Sequence, residues 1–327
     1  MSEKTSQSSQ TPQPSPNGSN SSASGGAKGG EAVRQPAGAG GAGVPESRIP
    51  GRVGVLGGGR MGAGIAHAFL VKGANVVVVE RDDEAAAGAR KRVIDAVEKS
   101  WDRGLLEQGA DYYEARLNVS TDAADFRDCE LVVEAVPEDF QLKVDSLRRI
   151  EAAVGESAWI GTNTSSLSVS DLAAALDRPE RLVGLHFFNP VPASTLIEVV
   201  VAEKSAEELV DAARAWTAGL GKTAVVVKDA PGFASSRLGV AIALEAMRMV
   251  EEGVASAEDI DNAMVLGYKH PVGPLKTTDI VGLDVRLGIA EYLASTLGER
   301  FTPPAVLREK VEKGELGRKS GQGFYTW

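Results

Sequence analysis

The feature of this sequence that most constrains its fold is a glycine-rich turn, Gly57-Gly58-Gly59-Arg60-Met61-Gly62, which matches the pattern G-x-G-x-x-G. Such hexapeptides also arise by chance, so the flanking residues decide its meaning. The turn follows an apolar run at residues 53–56 that predicts a buried strand, and it opens a helix-compatible segment at residues 61–72. A helix that starts directly after such a turn presents free backbone N–H groups to anions. The turn therefore predicts a dinucleotide site lined by Gly57, Gly58, Gly59, Arg60, Met61 and Gly62.

The alternative for the glycine turn is a tight connection that binds no ligand, and Glu80 bears on this choice. Glu80 ends the second predicted strand, residues 75–80, which contains four consecutive valines. A carboxylate at this position accepts hydrogen bonds from the adenosine ribose and repels a 2′-phosphate. Arg81 could instead receive a 2′-phosphate, and a solvated strand end would also suit both charges. Glu80 therefore favours NAD over NADP.

Short apolar runs alternate with helix-compatible segments as far as residue 228, which is typical of a parallel α/β sheet. After residue 80 the predicted strands are residues 131–136, 159–162, 182–187, 196–201 and 223–227. After Pro231 only helices are predicted, at residues 232–252, 256–266, 285–297 and 304–313. The sequence thus predicts an α/β fold in which an N-terminal Rossmann-type, doubly wound domain (residues 51–229) precedes an all-α C-terminal domain (residues 230–327).

Residues 1–50 differ in composition from the rest of the chain. Half of them are Ser, Gly or Pro, and none is Leu or aromatic. Such a segment cannot bury enough apolar surface to offset its conformational entropy, so we expect a disordered tail. It lacks the apolar centre of a secretory signal and has too few basic residues for a typical transit peptide. A flexible tether and a dispensable extension are both open as its role.

Charge and residue types exclude several classes of function. The 327 residues include 35 Lys and Arg against 45 Asp and Glu, and a net charge of −10 repels nucleic-acid backbones. No run approaches the ~18 apolar residues that span a bilayer. The single cysteine, Cys129, cannot form an internal disulfide, and the three histidines are widely spaced. We therefore expect a cytoplasmic protein without a nucleic-acid partner, a membrane segment or a metal site.

Two polar residues lie near the ends of predicted strands, where an open α/β sheet forms its reactive crevice, and a third lies inside a strand. Ser165 follows one strand, His186 lies near the end of another, and Glu198 interrupts an apolar strand. An imidazole can accept the proton of an alcohol, a carboxylate can orient the imidazole, and a hydroxyl can bind the reacting oxygen. The set suggests alcohol oxidation or carbonyl reduction. The structural alternatives are a core histidine, an edge carboxylate and a serine that caps the helix starting near Val169.

These segments resemble one enzyme family. The chain is similar to the L-3-hydroxyacyl-CoA dehydrogenases, which include bacterial 3-hydroxybutyryl-CoA dehydrogenases. Besides residues 57–62, the likeness is carried by Gly184-Leu185-His186-Phe187-Phe188-Asn189-Pro190, by the Glu198 strand, by Pro231-Gly232-Phe233, by His270-Pro271-Val272-Gly273-Pro274 and by Gly321-Gln322-Gly323-Phe324-Tyr325. It covers about residues 51–327. The resemblance implies NAD-dependent oxidation of (S)-3-hydroxyacyl-CoA, or the reverse reduction, on short acyl chains in fatty acid or related metabolism.

The resemblance also implies roles for single residues. His186 would be the catalytic base and Glu198 its partner, with Ser165 and Asn189 between substrate and nicotinamide. The other positions that contact NAD in the family are Glu138, Lys143 and Lys319.

The acyl-CoA substrate would meet the long helix predicted at residues 83–103. The basic residues of this helix would bind the phosphates of coenzyme A or form a solvated face; they are Arg90, Lys91, Arg92 and Arg103. The resemblance further implies a homodimer formed through the helical half, which requires an apolar patch there.

One catalytic position departs from the family pattern. After Pro-Gly-Phe the family usually has a Val-Asn-Arg triplet whose Asn contacts the catalytic residues or the substrate, and this chain has Ser235-Ser236-Arg237. Ser236 is shorter than Asn and would act through a bridging water. Two other functions therefore stay open: a related dehydrogenase of a small hydroxy acid without CoA, and an NAD-binding module that has lost catalysis.

Overall fold

The structure, a computed structural model, describes residues 48–327, so nearly all of the predicted tail lies outside the described residues. Its strands are β1 (Arg52–Leu56), β2 (Asn75–Val79), β3 (Leu117–Ser120), β4 (Leu131–Glu134), β5 (Trp159–Thr162), β6 (Leu182–Phe187), β7 (Leu196–Val201) and β8 (Thr223–Lys228). They form one sheet in the order β3-β2-β1-β4-β5-β6-β7-β8. All neighbours are parallel except β6 and β7, which are antiparallel.

Helices cover the sheet and build the C-terminal half. Those associated with the sheet are α1 (Arg60–Leu70), α2 (Asp83–Asp102), α3 (Ala110–Glu114), α4 (Phe140–Ala153), α5 (Val169–Ala174) and α6 (Glu207–Gly219). The helices that follow β8 are α7 (Ser235–Glu251), α8 (Ala257–Asn262), α9 (Pro274–Val281), α10 (Leu283–Leu297) and α11 (Ala305–Glu312). Within residues 48–327, none of the helices is long and apolar enough to cross a membrane.

The strand order places the glycine turn, Glu80 and the loop that contains Ser165 where the carboxyl ends of the parallel strands meet. It reverses direction between β1 and β4, and a doubly wound sheet binds ligands at such a switch point, beyond the carboxyl ends of its strands. The glycine turn follows β1 at this edge. On the other side of the switch point, the antiparallel register of β6 and β7 sets His186 directly opposite Glu198.

Three apolar clusters hold these elements in place. One cluster packs α1, α2 and α6 on one face of the sheet, and it includes Ile65, Val93 and Leu209. A second packs α4 and α5 on the other face and also takes in Phe233, which precedes α7. The third forms the interior of the helical half, around Met247. Because both faces of the sheet are covered, its inner strands are apolar runs and not alternating patterns.

The fold confirms the predicted class and differs in several local elements. The strand β3 was not predicted because its four residues, Leu-Asn-Val-Ser, include two polar side chains. The short helices α3 and α9 were also missed; α9 starts with Pro274 at its first position. Helix α7 begins at Ser235 and not at residue 232, since Gly232 and Phe233 both have positive φ. In the segment predicted as a helix at residues 256–266, the α-helix ends at Asn262, and a turn of π-helix follows over Ala263–Gly267.

Candidate functional site

The glycine turn lies at the carboxyl end of β1. Gly57 has a φ of +92°, which glycine adopts without steric cost. A Cβ on Gly62 would overlap the carbonyl oxygen of Gly57, so α1 can approach the turn this closely only with glycine at this position. Gly59 has open space where a Cβ would lie. The turn is therefore an open backbone cradle at a helix N-terminus, and this shape fits the pyrophosphate of NAD.

A groove of about 850 Å³ starts at this cradle. Four of the six turn residues line it, together with Glu80; they are Gly57, Gly59, Arg60 and Met61. The remaining two, Gly58 and Gly62, are buried beneath the surface of the turn. The structure thus brings the predicted turn and the predicted ribose-binding carboxylate to one groove.

The Glu80 carboxylate is tied to the turn itself. Its Oε1 accepts the backbone N–H of Gly58 at 2.7 Å, and its Oε2 accepts that of Arg81 at 3.2 Å. The Arg81 guanidinium donates to Asp82 at 2.9 Å. Arg81 is thereby engaged by a neighbouring carboxylate, which favours Glu80 over Arg81 as the residue that meets the ribose.

The structure divides the basic residues of α2. Arg90 is paired with Glu114 at 2.7 Å, and Lys91 is paired with Asp95 at 2.7 Å. Arg92 lines the groove, and its Nε donates to the carbonyl oxygen of Gly58 at 2.9 Å. Arg92 therefore lies beside the glycine turn and not on a separate surface for CoA. The sequence did not predict this, because the spacing of residues along α2 does not show which face of the helix is turned toward the glycine turn.

A buried ionic cluster lies after β4, at the same edge of the sheet. The Lys143 ammonium, on a side chain only 1% exposed, lies 2.8 Å from Glu134 and 3.4 Å from Glu138. The other oxygen of Glu134 accepts the Thr162 hydroxyl at 2.6 Å. Glu134, fully buried at the end of β4, was not predicted as a site residue, although a charged residue ending an apolar strand is a readable signal.

Glu138 organises the loop that contains Ser165. Its Oε1 accepts the backbone N–H of Ser165 at 2.8 Å, the Ser165 hydroxyl at 3.1 Å and the Thr164 hydroxyl at 2.7 Å. Burial raises the pKa of Glu138, but the nearby Lys143 and these hydrogen bonds outweigh it and hold the pKa below its usual range. The helix α5 is capped by Ser168, which accepts the N–H of Asp171, so the capping alternative for Ser165 is wrong.

His186 and Glu198 form a buried pair. Nδ1 of His186 lies 2.8 Å from Oε2 of Glu198, and the two residues are 7% and 0% exposed. The imidazole packs against the rings of Phe188 and Phe233, with centroid distances of 4.4 and 5.8 Å. Because β7 has neighbours on both sides, Glu198 is not an edge carboxylate. The sequence singled out both residues, and the structure brings them into contact.

Glu198 is fully supplied with hydrogen-bond donors. Its Oε1 accepts the backbone N–H groups of Ala234 and Ser235 at 3.1 and 2.8 Å. Its Oε2 accepts the Ser235 hydroxyl at 2.6 Å in addition to His186. Burial would raise the pKa of Glu198, but the hydrogen bonds from His186 and Ser235 outweigh it, so the pKa lies below its ordinary value. The carboxyl group is therefore ionised at neutral pH.

Of the two serines that open α7, the sequence selected Ser236, whereas Ser235 contacts Glu198. Ser236 is half-buried, and its side chain forms no hydrogen bond with any other residue in the range 48–327. Ser235 was missed because its partner lies 37 residues away in the sequence, and only the packing of α7 against β7 brings them together. The pattern of residues around Ser235 contains no signal for this contact.

Three other predicted site residues lie at the surface. Asn189 is exposed directly after β6, two residues beyond the end of the strand. Lys319 pairs with Asp284 at 2.6 Å, at the start of α10. Arg103 is exposed at the end of α2. Within residues 48–327 no hydrogen bond or ion pair joins Asn189, Lys319 or Arg103 to the glycine turn or to the His186–Glu198 pair.

The other two histidines lie outside this cluster. His67, on α1, is buried with its Nε2 3.0 Å from the Ser100 hydroxyl, and burial lowers its pKa to about 4. His270 lies in the loop before α9 and is half-buried. No group of three or more His, Cys, Asp or Glu side chains in the described part of the chain is arranged to hold a metal ion.

Comparison with known proteins places the chain in a family. The 3-hydroxyacyl-CoA dehydrogenase NAD binding domain matches residues 52–230, and the C-terminal domain of the same family matches residues 232–327. A probable 3-hydroxybutyryl-CoA dehydrogenase of Deinococcus radiodurans is 38% identical over 277 residues, which cover 84% of this chain and 100% of that protein. A 3-hydroxybutyryl-CoA dehydrogenase of Mycobacterium tuberculosis is 39% identical over 282 residues, covering 84% and 98%.

A solved structure agrees with the sequence relatives. The crystal structure of (S)-3-hydroxybutyryl-CoA dehydrogenase from Ralstonia eutropha superimposes with a TM-score of 0.81 and 38% identity, over 85% of this chain and 99% of that one. These relatives share both the sheet domain and the helical half. The chain described here belongs to the 3-hydroxyacyl-CoA dehydrogenase family.

Proposed function

We propose that this protein oxidises (S)-3-hydroxyacyl-CoA to 3-oxoacyl-CoA with NAD, or catalyses the reverse reduction, and that short chains such as 3-hydroxybutyryl-CoA are its substrates. The observation that carries the proposal is the buried His186–Glu198 pair, which lies in the same sheet whose strand β1 leads into the glycine cradle. The short-chain preference is supported by the relatives that are named for 3-hydroxybutyryl-CoA.

The geometry assigns the proton of His186. An ionised carboxylate only accepts hydrogen bonds, so Nδ1 of His186 donates its hydrogen to Glu198. The neutral ring therefore carries its lone pair on Nε2, and this atom can take the hydroxyl proton of the substrate. The resulting imidazolium is stabilised by Glu198, which does not itself need to become protonated. In the reducing direction Nε2 donates this proton to the carbonyl oxygen, which thereby becomes the hydroxyl.

The glycine cradle binds the cofactor, and His186 accepts the proton. NAD, when bound, supplies the acceptor for the hydride that leaves the substrate carbon. The chain's own contribution is to hold the pyrophosphate at the backbone of residues 57–62 and the ribose at Glu80. Phe188 and Phe233 flank His186 with apolar rings, which keep water from the imidazole and strengthen its hydrogen bond with Glu198.

We infer further contacts for the polar residues around this centre. Ser165, held by Glu138, would bind the reacting oxygen, and Asn189 would lie between substrate and nicotinamide. Support for this comes from the shared position of the two loops, one after β5 and one after β6, at the carboxyl ends of neighbouring strands. Lys143 would orient Glu138 toward the cofactor. Lys319 and Ser236 are proposed as further contacts on the strength of the family resemblance, and Arg103 as a contact to CoA.

We propose that residues 230–327 form a separate helical domain. We also propose that two copies of the chain assemble through this domain. Exposed apolar side chains concentrate there, on helices that contact one another: Leu238 and Ile242 on α7, Val281 on α9 and Val285 on α10. Leu238 is the most exposed of these four, at 63%, and a cluster of exposed apolar side chains on neighbouring helices is the kind of surface that a partner covers. We also propose a cytoplasmic location, consistent with a single buried cysteine that has no disulfide partner.

One assay separates this function from its alternatives. Purified protein is mixed with acetoacetyl-CoA and NADH, and the loss of NADH absorbance is compared with that in the same reaction containing free acetoacetate. We expect turnover with the CoA ester and much slower turnover with the free acid. Equal turnover of both substrates would indicate a hydroxy-acid dehydrogenase. Binding of NADH without turnover of either substrate would indicate a module that has lost catalysis.

A further inference from the structure

The hydroxyl of Ser235 and the imidazole of His186 share one oxygen of Glu198. The two donor–acceptor distances to Oε2 are 2.6 Å from Ser235 Oγ and 2.8 Å from His186 Nδ1. Short hydrogen bonds to an ionised oxygen are strong, and each draws electron density from it. Ser235 therefore competes with His186 for the same carboxylate oxygen.

This competition acts on the two protonation states of His186 unequally. The neutral ring needs only an acceptor for its Nδ1 hydrogen, whereas the imidazolium needs the full negative charge of the carboxylate. A serine hydroxyl that withdraws charge from Oε2 weakens the second interaction more than the first. The backbone N–H groups of Ala234 and Ser235 act in the same direction through Oε1.

We propose that Ser235 is a positioning residue that lowers the proton affinity of the His186–Glu198 pair through the carboxylate oxygen that Ser235 and His186 share, and so tunes His186 as the acceptor of the substrate proton. This inference rests on the proposed dehydrogenase function. It assigns to α7 a role in tuning the base, since Ser235 is the first residue of that helix.

Other charged groups do not account for such tuning. Side chains alternate along β7, so Glu198 lies on the side of the sheet that packs against α5 and Phe233. The elements packed on that side carry further charged groups, which include Asp171 on α5, Lys143 and Glu151 on α4, Glu138 after β4, Asp229 after β8 and Arg237 on α7. None of them forms an ion pair with His186 or Glu198, and β8 places the uncharged Val225 opposite Glu198.

The test compares Ser235→Ala, which removes the hydroxyl, with Ser235→Thr, which keeps it. Ser256→Ala is the matched control, since Ser256 also opens a helix and donates to a carboxylate, Asp259, at 2.7 Å. The protein has three histidines, so their ring signals can be followed by NMR as the pH is changed, and His186→Gln identifies the signal of His186. The pH profile of kcat/KM for oxidation is measured on the same proteins.

We expect Ser235→Ala to move the titration midpoint of His186 upward by about 0.5 to 1 pH unit, with the acidic limb of kcat/KM moving with it. Ser235→Thr and Ser256→Ala should both titrate close to the unmodified protein. An unchanged midpoint, or a midpoint that moves downward in Ser235→Ala, would overturn the inference. Because the NMR titration needs no substrate, it tests Ser235 even if the protein proves inactive on acyl-CoA, which would refute the proposed function alone.

Discussion

Replacing glycines of the turn one at a time separates its packing from its binding role. In Gly62→Ala the new Cβ would overlap the carbonyl oxygen of Gly57, which is backbone and cannot rotate away. Overpacking of this kind costs about 1–3 kcal/mol. In a protein of this size each kcal/mol lowers Tm by about 2 °C. In Gly59→Ala the Cβ meets no atom within 4 Å, so the stability loss should stay below about 1 kcal/mol.

The two variants should lose cofactor binding for different reasons. Gly62→Ala moves α1 away from the turn, whereas the methyl group of Gly59→Ala occupies the space that the pyrophosphate needs. We expect the Kd for NADH to rise at least ~10-fold in both, equivalent to about 1.4 kcal/mol. Thermal melts without cofactor and fluorescence titrations with NADH measure the two quantities. A Gly62→Ala protein that melts like the unmodified one, or a Gly59→Ala protein that binds NADH normally, would refute this account of the turn.

Three further predictions concern carboxylates. Glu80→Gln should narrow the preference for NADH over NADPH, measured as the ratio of kcat/KM values; equal use of both cofactors by the unmodified protein would contradict the role of Glu80. Lys143→Met leaves Glu134 buried without its cation and should cost about 3–5 kcal/mol in urea unfolding, most of which Lys143→Met with Glu134→Gln should recover. The pKa of Glu198 is lowered on folding, so Glu198 stabilises the protein above its unfolded pKa of about 4.5 and loses this effect as pH falls through the lower folded value. In Glu198→Gln the free energy of unfolding, measured by urea denaturation at a series of acidic pH values, should therefore fall less steeply as the pH is lowered. The same slope in both proteins would show that Glu198 does not contribute.

The sequence predicts the sheet well wherever burial leaves a clear pattern. The strands that are covered on both faces appear as apolar runs, and the residues that end them, such as Glu80, mark the binding edge. Strand β3 was missed because it is short and two of its four residues, Asn118 and Ser120, are polar, whereas β8, which also lies at the end of the sheet order, keeps a run of three valines.

The candidate site is predictable in its residue types and not in its contacts. His186 and Glu198 stand out because polar residues in apolar strands need a reason to be there. The hydrogen bond from Ser235 to Glu198 depends on how α7 docks on the sheet, and neither residue type nor spacing encodes that docking. The same holds for Arg92, whose neighbours on α2 have the same charge but pair with surface carboxylates.

Whether His186 and Glu198 act as a catalytic pair is tested by a double-mutant cycle on the two residues, with kcat/KM for acetoacetyl-CoA reduction and thermal melts measured for the four proteins. His186→Gln should lower the rate by at least ~10²-fold, because it removes general acid–base catalysis, and Glu198→Gln should lower it through the lost stabilisation of the imidazolium. The double variant should lose much less than the product of the two single losses, since the residues act as one unit. Losses that multiply would show that the two residues act independently, and a His186→Gln protein that melts earlier but turns over normally would show that His186 is a core residue and not the catalytic base.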